Sequence, residues 1–454
     1  MWLRQDLRLA DQAAFAAAAA EGPIVVVYVL DDAAPGAWKI GGAQRWWLHH
    51  SLAALAADLD ARGVPLVLRR GDAVTEVARI VAEAGASRVH ALRHYEPWWQ
   101  AAEQALAGQV DLVLHDGTQL AAPDRVRTGG GGRYRMYTPW WRALGEHMPP
   151  PPPRPAPKTM SGVAKPPAGD RLEDWQLLPT KPDWAGGFSS WTPGEAGARA
   201  RLAAFGKEKV GAYPVARNLP SEEGTSRLSP HLHHGEVSPA EVWHHCCRMP
   251  GADKFLRELA WRDFTTNLID QFGDYGDRNR RDGFDAFPWR DDAEARRDLA
   301  AWKAGRTGYP IVDAGMRQLW KSGWMHNRVR MITASFLIKH LLIDWREGER
   351  WFWDTLVCAD YGNNSVNWQW VAGTGVDSNP FGRIMAPLSQ SAKFDAAGYI
   401  REWVPELAGL SDEAIHDPAA AGVIPQGYPA PLIGHREGRE RALAAARSIR
   451  QDAA

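Results

Sequence analysis

The residues best suited to chemistry cluster in the second half of the chain. In FLRELAWRDF, residues 255–264, a helix would set Glu258, Trp261 and Arg262 at i, i+3 and i+4, bringing a carboxylate, an indole and a guanidinium to one surface. Between Trp324 and His340 a helix would align Asn327, Met331 and Ser335 on one face. That face mixes an amide, a thioether and a hydroxyl, which suggests a lined pocket more than an aliphatic core stripe. Downstream, Asn363, Asn364, Asn367, Trp368, Gln369 and Trp370 set amides beside large rings, a mixture suited to a flat heterocycle with donors and acceptors on its edges. A solvated salt-bridge face and ordinary core packing are the plain alternatives for these patterns. No activated nucleophile is evident. His231, His233, His234, His244 and His245 crowd together but lack an HExxH spacing or cysteine partners, so no metal is expected.

These stretches need a scaffold, and the first part of the chain reads differently from the rest. Ile24–Leu30, Pro65–Leu68, Arg88–Leu92 and Asp111–Leu114 are short runs rich in valine and leucine, the pattern of buried strands. Ala43–Ala61 and Ala73–Ala84 read as helices between them, the second with Asp72 as N-cap and Gly85 as its stop. Strands alternating with helices predict a doubly wound, Rossmann-like parallel sheet. No GxGxxG follows any of the strands, so the ordinary dinucleotide fingerprint is absent. Residues 129–157 pass from GGGG through YRMYTPWWR to MPPPPPRPAP, the composition of a connector with a stiff polyproline run. From about Gly194 the pattern is helical. The expected division is therefore an α/β domain over 1–125, a connector over 126–194 and an all-α domain over 195–454.

Composition narrows the class. The chain has 454 residues, and its 53 basic and 54 acidic side chains leave a net charge of −1, so any nucleic-acid contact must come from a local patch. Cys246, Cys247 and Cys358 form no CxxC pair and cannot supply the four thiolates of an iron-sulfur cluster; a reducing cytoplasm is the expected compartment. No apolar run reaches the roughly 18 residues a membrane span needs, and Met1 is followed by no secretion signal. The 23 tryptophans are unusual, and many stand in polar company, as in redox relays and base-stacking platforms. Trp46, Trp47 and Trp191 are read instead as core fillers.

WMHNRVRMITASFL, LLIDWREGERWF and NWQWVAGTGVDSNPFGRI resemble the flavin-binding domain of the DNA photolyase and cryptochrome family, and WLRQDLRLADQAA resembles the family's opening motif. The resemblance implies FAD held in the helical domain. Its ligands by matching position are Tyr213, Thr225, Ser226, Arg227, Leu228, Ser229, Phe255, Arg262, Asn327, Arg330, Asp360 and Asn364. GTSRLS alone is a weak phosphate signal, since serine and threonine also cap ordinary helices. The family match further implies that Glu258, Trp261, Asn327, Met331 and Trp370 receive a flipped-out cyclobutane pyrimidine dimer. Arg217, Arg328, Arg383 and Gln390 would contact DNA, while Trp302, Trp345 and Trp368 would form a chain of indoles that re-reduces the flavin.

The implied activity is light-driven splitting of the dimer by an electron from the excited reduced flavin, by a monomer acting on damaged DNA. Asn327 and Met331 match the type that repairs cyclobutane dimers, not (6-4) photoproducts. A cryptochrome-like photoreceptor that binds FAD without repair is the alternative, disfavoured by the intact dimer residues. Three departures stand out. Relatives carry several residues of a first strand ahead of the motif, whereas this chain starts at Met1 and Trp2, so either the start is late or the first strand is trimmed. Tyr95, Glu96, Pro97, Trp98 and Trp99 replace the folate-binding signature, which leaves the antenna chromophore uncertain, with Trp98 and Trp99 expected to fill its place. Cys358 stands where many relatives carry an acidic partner for the arginine beside the flavin, here Arg330.

Overall fold

The computed structural model describes residues 1–378, 384–423 and 425–451. Arg383, expected to contact DNA, lies outside them.

The first unit alternates strand and helix as β1 (Trp2–Leu3), α1 (Ala13–Glu21), β2 (Val26–Leu30), α2 (Gly42–Asp60), β3 (Leu66–Arg70), α3 (Ala73–Ala84), β4 (Val89–Leu92), α4 (Pro97–Ala107) and β5 (Leu112–His115). All pairings are parallel, in the ladders β1-β2-β3 and β4-β5. Successive strand side chains point to opposite faces. Val26 and Leu30 pack with Phe15 of α1 and Leu48 to Leu59 of α2, whereas Val27, Val29 and Val67 pack with Val77 and Ile80 of α3 and Leu106 of α4. Helices thus cover both faces of the sheet, as the sequence predicts. Helix α3 has the expected bounds, with the Asp72 carboxylate accepting the Thr75 N–H and Gly85 at φ +62° closing the helix.

The first strand is short. With two residues, β1 registers only against Val27 and Tyr28 and makes no ladder with β4. Arg4 bridges that gap instead: its guanidinium donates to the Leu92 carbonyl and pairs with Glu103 at 2.6 Å. The Met1 ammonium is also fixed, on the Val25 carbonyl at 2.8 Å.

Residues 126–194 are more than a spacer. Their helix α5 (Tyr137–Leu144) buries Trp140 and Leu144 in the large helical core, where Phe188 and Trp191 also lie, while Trp175 and Leu177 enter the α/β core. Trp47 crosses the other way from α2 into the helical core, its indole N–H donating to Glu236 at 2.9 Å.

The helical unit comprises α6 (Glu195–Glu208), α7 (Tyr213–Ala216), α8 (Ser229–His233), α9 (Pro239–Cys246), α10 (Ala252–Gln271), α11 (Ala293–Lys303), α12 (Pro310–Ser322), α13 (Asn327–Ser335), α14 (Trp345–Thr355), α15 (Tyr361–Ala372), α16 (Pro387–Lys393), α17 (Ala397–Trp403) and α18 (His435–Gln451). The helix expected over 324–340 is shorter than predicted. It begins at Asn327, where the His326 ring accepts the Arg328 N–H at 3.2 Å, and gives way to a π turn over Phe336–His340. Among the described residues no helix is long and apolar enough to cross a membrane.

Candidate active site

Helices α7, α8, α10, α13, α14 and α15 surround one cavity of about 590 Å³, within the range of small-molecule and cofactor sites. It brings together residues far apart in the chain. Every residue predicted for the cofactor lines it: Tyr213, Thr225 to Ser229, Phe255, Arg262, Asn327, Arg330, Asp360 and Asn364. So do Glu258, Trp261, Met331, Trp368 and Trp370, together with Arg217 and Arg328. Ser335, expected on the same face as Asn327 and Met331, does not line it; its hydroxyl accepts the Met385 N–H at 3.2 Å. Gln390, on α16, is also absent from the lining.

The polar groups of the wall are held from behind. Asp360 caps α15, accepting the Asn363 N–H at 2.7 Å. Burial raises the pKa of its carboxyl group, but His233, Arg262 and that N–H outweigh it and hold the pKa down at about 2. The Asn364 amide donates to the Glu349 carbonyl at 3.0 Å, which orients its oxygen end. Arg262 donates to the Thr118 carbonyl at 2.6 Å and to Gln119 at 3.0 Å, tying the cavity to the end of the α/β unit. Next to it, buried Asp263 accepts the Leu120 N–H at 2.6 Å, and burial pushes its carboxyl up to about 7.

Glu258 meets two cations through the same oxygen: Arg217 pairs with Oε1, and Lys254 reaches it at 3.0 Å. Arg217 is thereby held against Glu258 at the cavity wall. Arg328 donates to Asn218 at 2.5 Å and lies 4.5 Å over the Phe394 ring. His326 reports the local field, since burial and then the charges of Arg330, Arg328, Arg217 and Arg227 push its pKa down to about 4. The mouth is thus locally positive although the chain as a whole is nearly neutral.

At Cys358 the expectation of a missing acidic partner is met by a weak contact: Arg330 places Nη2 3.5 Å from the sulfur, while its Nε donates to the Met325 carbonyl at 2.8 Å. Trp302 lies 6.4 Å from Trp368, and Phe352 packs against both. Trp302 and Trp345 are fully buried and Trp368 is 3% exposed, so none of the three predicted indoles reaches the surface. Half-buried Trp289, which sequence reasoning passed over, packs against the same core.

Trp98 and Trp99 are half-buried; Trp98 meets Tyr361 edge-on at 5.2 Å and Trp99 meets Trp2 at 6.2 Å. The crowded histidines are spent on internal bonds: His231 on Glu236 at 2.5 Å, His233 on Gln44 at 3.0 Å and His244 on the Pro150 carbonyl at 2.7 Å. Among the described residues no group of three or more His, Cys, Asp or Glu is arranged to hold a metal ion.

The donor set suits a large, flat, anionic cofactor. Hydroxyls of Thr225, Ser226 and Ser229 stand with Arg227 and Arg262 for phosphates, and Asp360 with Asn363, Asn364 and Asn367 offers carboxylate and amide edges for a ring system. Among the described residues, the buried Arg262 Nε has no hydrogen-bond partner, as expected of a donor that meets a ligand or water.

Such a pocket on a helical bundle joined to a doubly wound α/β domain defines a flavoprotein of the photolyase type. Residues 255–448 match the FAD binding domain of DNA photolyase, and residues 1–158 match the DNA photolyase domain. The chain is similar to the deoxyribodipyrimidine photo-lyase of Agrobacterium fabrum, with 46% identity over 99% of this chain and 98% of the relative, and to that of Streptomyces griseus, with 41% identity over 96% of each. A crystal structure of a bacterial class III photolyase from Agrobacterium tumefaciens superposes with a TM-score of 0.93 at 46% identity, covering 99% of this chain and 97% of that one. The chain belongs to the DNA photolyase and cryptochrome family.

Proposed function

We propose that this protein is a deoxyribodipyrimidine photo-lyase, which binds FAD in the central cavity and uses light to split cyclobutane pyrimidine dimers in DNA. The observation that carries the reading is the single cavity shared by the cofactor set and the dimer set, in a chain 46% identical end to end to a deoxyribodipyrimidine photo-lyase.

In this reading Thr225, Ser226, Ser229, Arg227 and Arg262 hold the FAD phosphates, with Tyr213, Leu228 and Phe255 as apolar wall, while Arg330, Asp360 and Asn364 hold the ring system. When bound, reduced FAD supplies the light-driven electron that opens the cyclobutane ring and is then returned. The chain's own work is binding, orientation and exclusion of water. Glu258 and Asn327 present an acceptor and an amide to the pyrimidine edges, and Trp261, Trp370 and Met331 present apolar faces to the rings. A damaged pair costs less to unstack than an intact one, which favours capture of the lesion. The positive rim around Arg328 attracts the DNA backbone. Trp302, Trp345 and Trp368 carry electrons inward, continuing to the surface through a further ring such as Trp289.

The working unit is read as a monomer, as the family resemblance implies. Three free cysteines support a reducing cytoplasm. The division into 1–125, 126–194 and 195–454 is retained, with the middle segment as a packed belt in place of a free linker. The deciding experiment exposes purified, reduced holoprotein and an oligonucleotide carrying one thymine dimer to blue light or darkness. Thymine restored only in light is expected; no restoration by FAD-loaded protein would refute the reading.

A further inference from the structure

The connector helix α5 reaches the cavity wall through Tyr137, a residue that the proposed function leaves without a task. Its ring lies flat on Trp261, with centroids 3.7 Å apart and planes 6° from parallel. Tyr137 is not itself among the lining residues, whereas Trp261 is. The tyrosine therefore covers the back of an indole whose remaining face is available to the cavity. Parallel rings centred on one another are not the arrangement aromatic quadrupoles prefer, so something must hold them. Two hydrogen bonds do so from opposite ends of the tyrosine. Its main-chain N–H donates to Asp377, itself a cavity residue, at 2.9 Å, and its phenol donates to the Arg257 carbonyl of α10 at 2.8 Å. Phe264 closes one edge at 5.5 Å, and Trp141 lies nearly parallel at 6.4 Å.

We propose that Tyr137 is a positioning residue for lesion recognition: it fixes the plane of Trp261 so that the free face of the indole is presented flat to the flipped-out dimer. This rests on the reading of Trp261 as a dimer-contacting ring. It makes the connector a part of the site, because α5 cannot shift without tilting the platform. The phenol end also matters, since Arg257 lies one residue from Glu258 and one turn before Trp261 on α10. A tyrosine anchored there locks ring and helix together.

The test uses FAD-loaded full-length protein with Tyr137→Phe, Tyr137→Ala, Tyr137→Leu and Trp261→Ala. Affinity is measured for a single-stranded oligonucleotide with one thymine dimer and for its undamaged twin, and repair is measured at saturating DNA under fixed light. Tyr137→Ala is expected to weaken dimer binding about tenfold and undamaged binding little, while repair at saturation stays within about twofold. Tyr137→Phe keeps the flat ring and should retain affinity within about threefold. If Tyr137→Ala loses FAD or fails to fold, Tyr137→Leu, which keeps bulk without a flat face, is read in its place. The proposal is overturned if the variant read discriminates damaged DNA as the parent does, or loses both DNAs equally. Failure of the underlying reading looks different: Trp261→Ala would then keep the parental preference. Loss of preference in Trp261→Ala but not in the Tyr137 variants would sink the positioning role alone.

Discussion

Removing the Arg217 side chain should cost this protein its preference for damaged DNA more than its grip on DNA in general. Arg217 and Lys254 meet the same oxygen of Glu258, but they stand in different places. Arg217 comes from the end of α7, and its side chain is 13% exposed; Lys254 is one turn back on α10 and 48% exposed. In Arg217→Ala the carboxylate keeps only the outer cation, and the remaining attraction draws it along its own helix toward solvent. A charge-assisted hydrogen bond of this partly buried kind is worth about 1.5–3 kcal/mol, and the surviving Lys254 reduces the loss to about 1–2 kcal/mol. That is about 5- to 30-fold in affinity for dimer-containing DNA. The assay is a titration of dimer and undamaged oligonucleotides by anisotropy at several salt concentrations. A phosphate contact would behave otherwise, weakening both DNAs alike and lowering the salt slope by about 0.7–0.9 per contact. Equal losses with a reduced slope would refute the argument that Arg217 acts through Glu258.

Three further outcomes are expected. Cys358→Asp gives Arg330 a full anionic partner in place of a sulfur 3.5 Å away, and should lower the reduction potential of the bound flavin by on the order of 50 mV, about 1 kcal/mol for one electron; an unchanged potential by spectroelectrochemistry would count against it. Asp263 holds its proton up to about pH 7 in the fold but only to about pH 4 unfolded, so its contribution is complete below pH 4 and is lost as pH rises to 7. Asp263→Asn should therefore gain on the parent in thermal stability between pH 4 and 8, by on the order of 4 kcal/mol, and parallel curves would refute this. Trp302→Phe should slow blue-light reduction of oxidised flavin with an external reductant by at least about tenfold, given its place 6.4 Å from Trp368. The same absorbance assay on Trp289→Phe tests that ring as the route's outlet.

Much of the architecture was legible because its signals are local. Buried valine runs broken by helices of ordinary length leave few alternatives to a doubly wound sheet, and Asp72 and Gly85 bounded α3 to the residue through their own backbone chemistry. The misreadings share a cause. The helix expected over 324–340 carries an apolar period throughout, yet His326 turns its ring back to cap the first N–H, and a π turn shifts the last five residues out of register. Ser335 closes the regular part of α13 and keeps its i+4 place after Met331, but its hydroxyl is taken up by the Met385 N–H and does not line the cavity. The connector was read from its prolines and glycines, a compositional cue that carries no information about Trp140, Phe188 and Trp191, whose burial depends on partners far along the chain.

The site divides along the same line. Residues that line the cavity could be named because each belongs to a stretch with its own character, such as GTSRLS or NWQWVAG. Which of them touch each other could not. Arg217 and Glu258 are 41 residues apart, and Arg262 meets Gln119 across 143. Such pairs are created by packing, and they decide function as much as the residue types do: an arginine expected to contact DNA also pairs with a carboxylate, and a tyrosine from the connector backs an indole of the pocket. Indole position shows the same limit. Sequence supplies tryptophans in abundance, but a path for electrons requires a sequence of near rings ending at solvent, and with Trp302, Trp345 and Trp368 all buried, which ring meets solvent is set by packing.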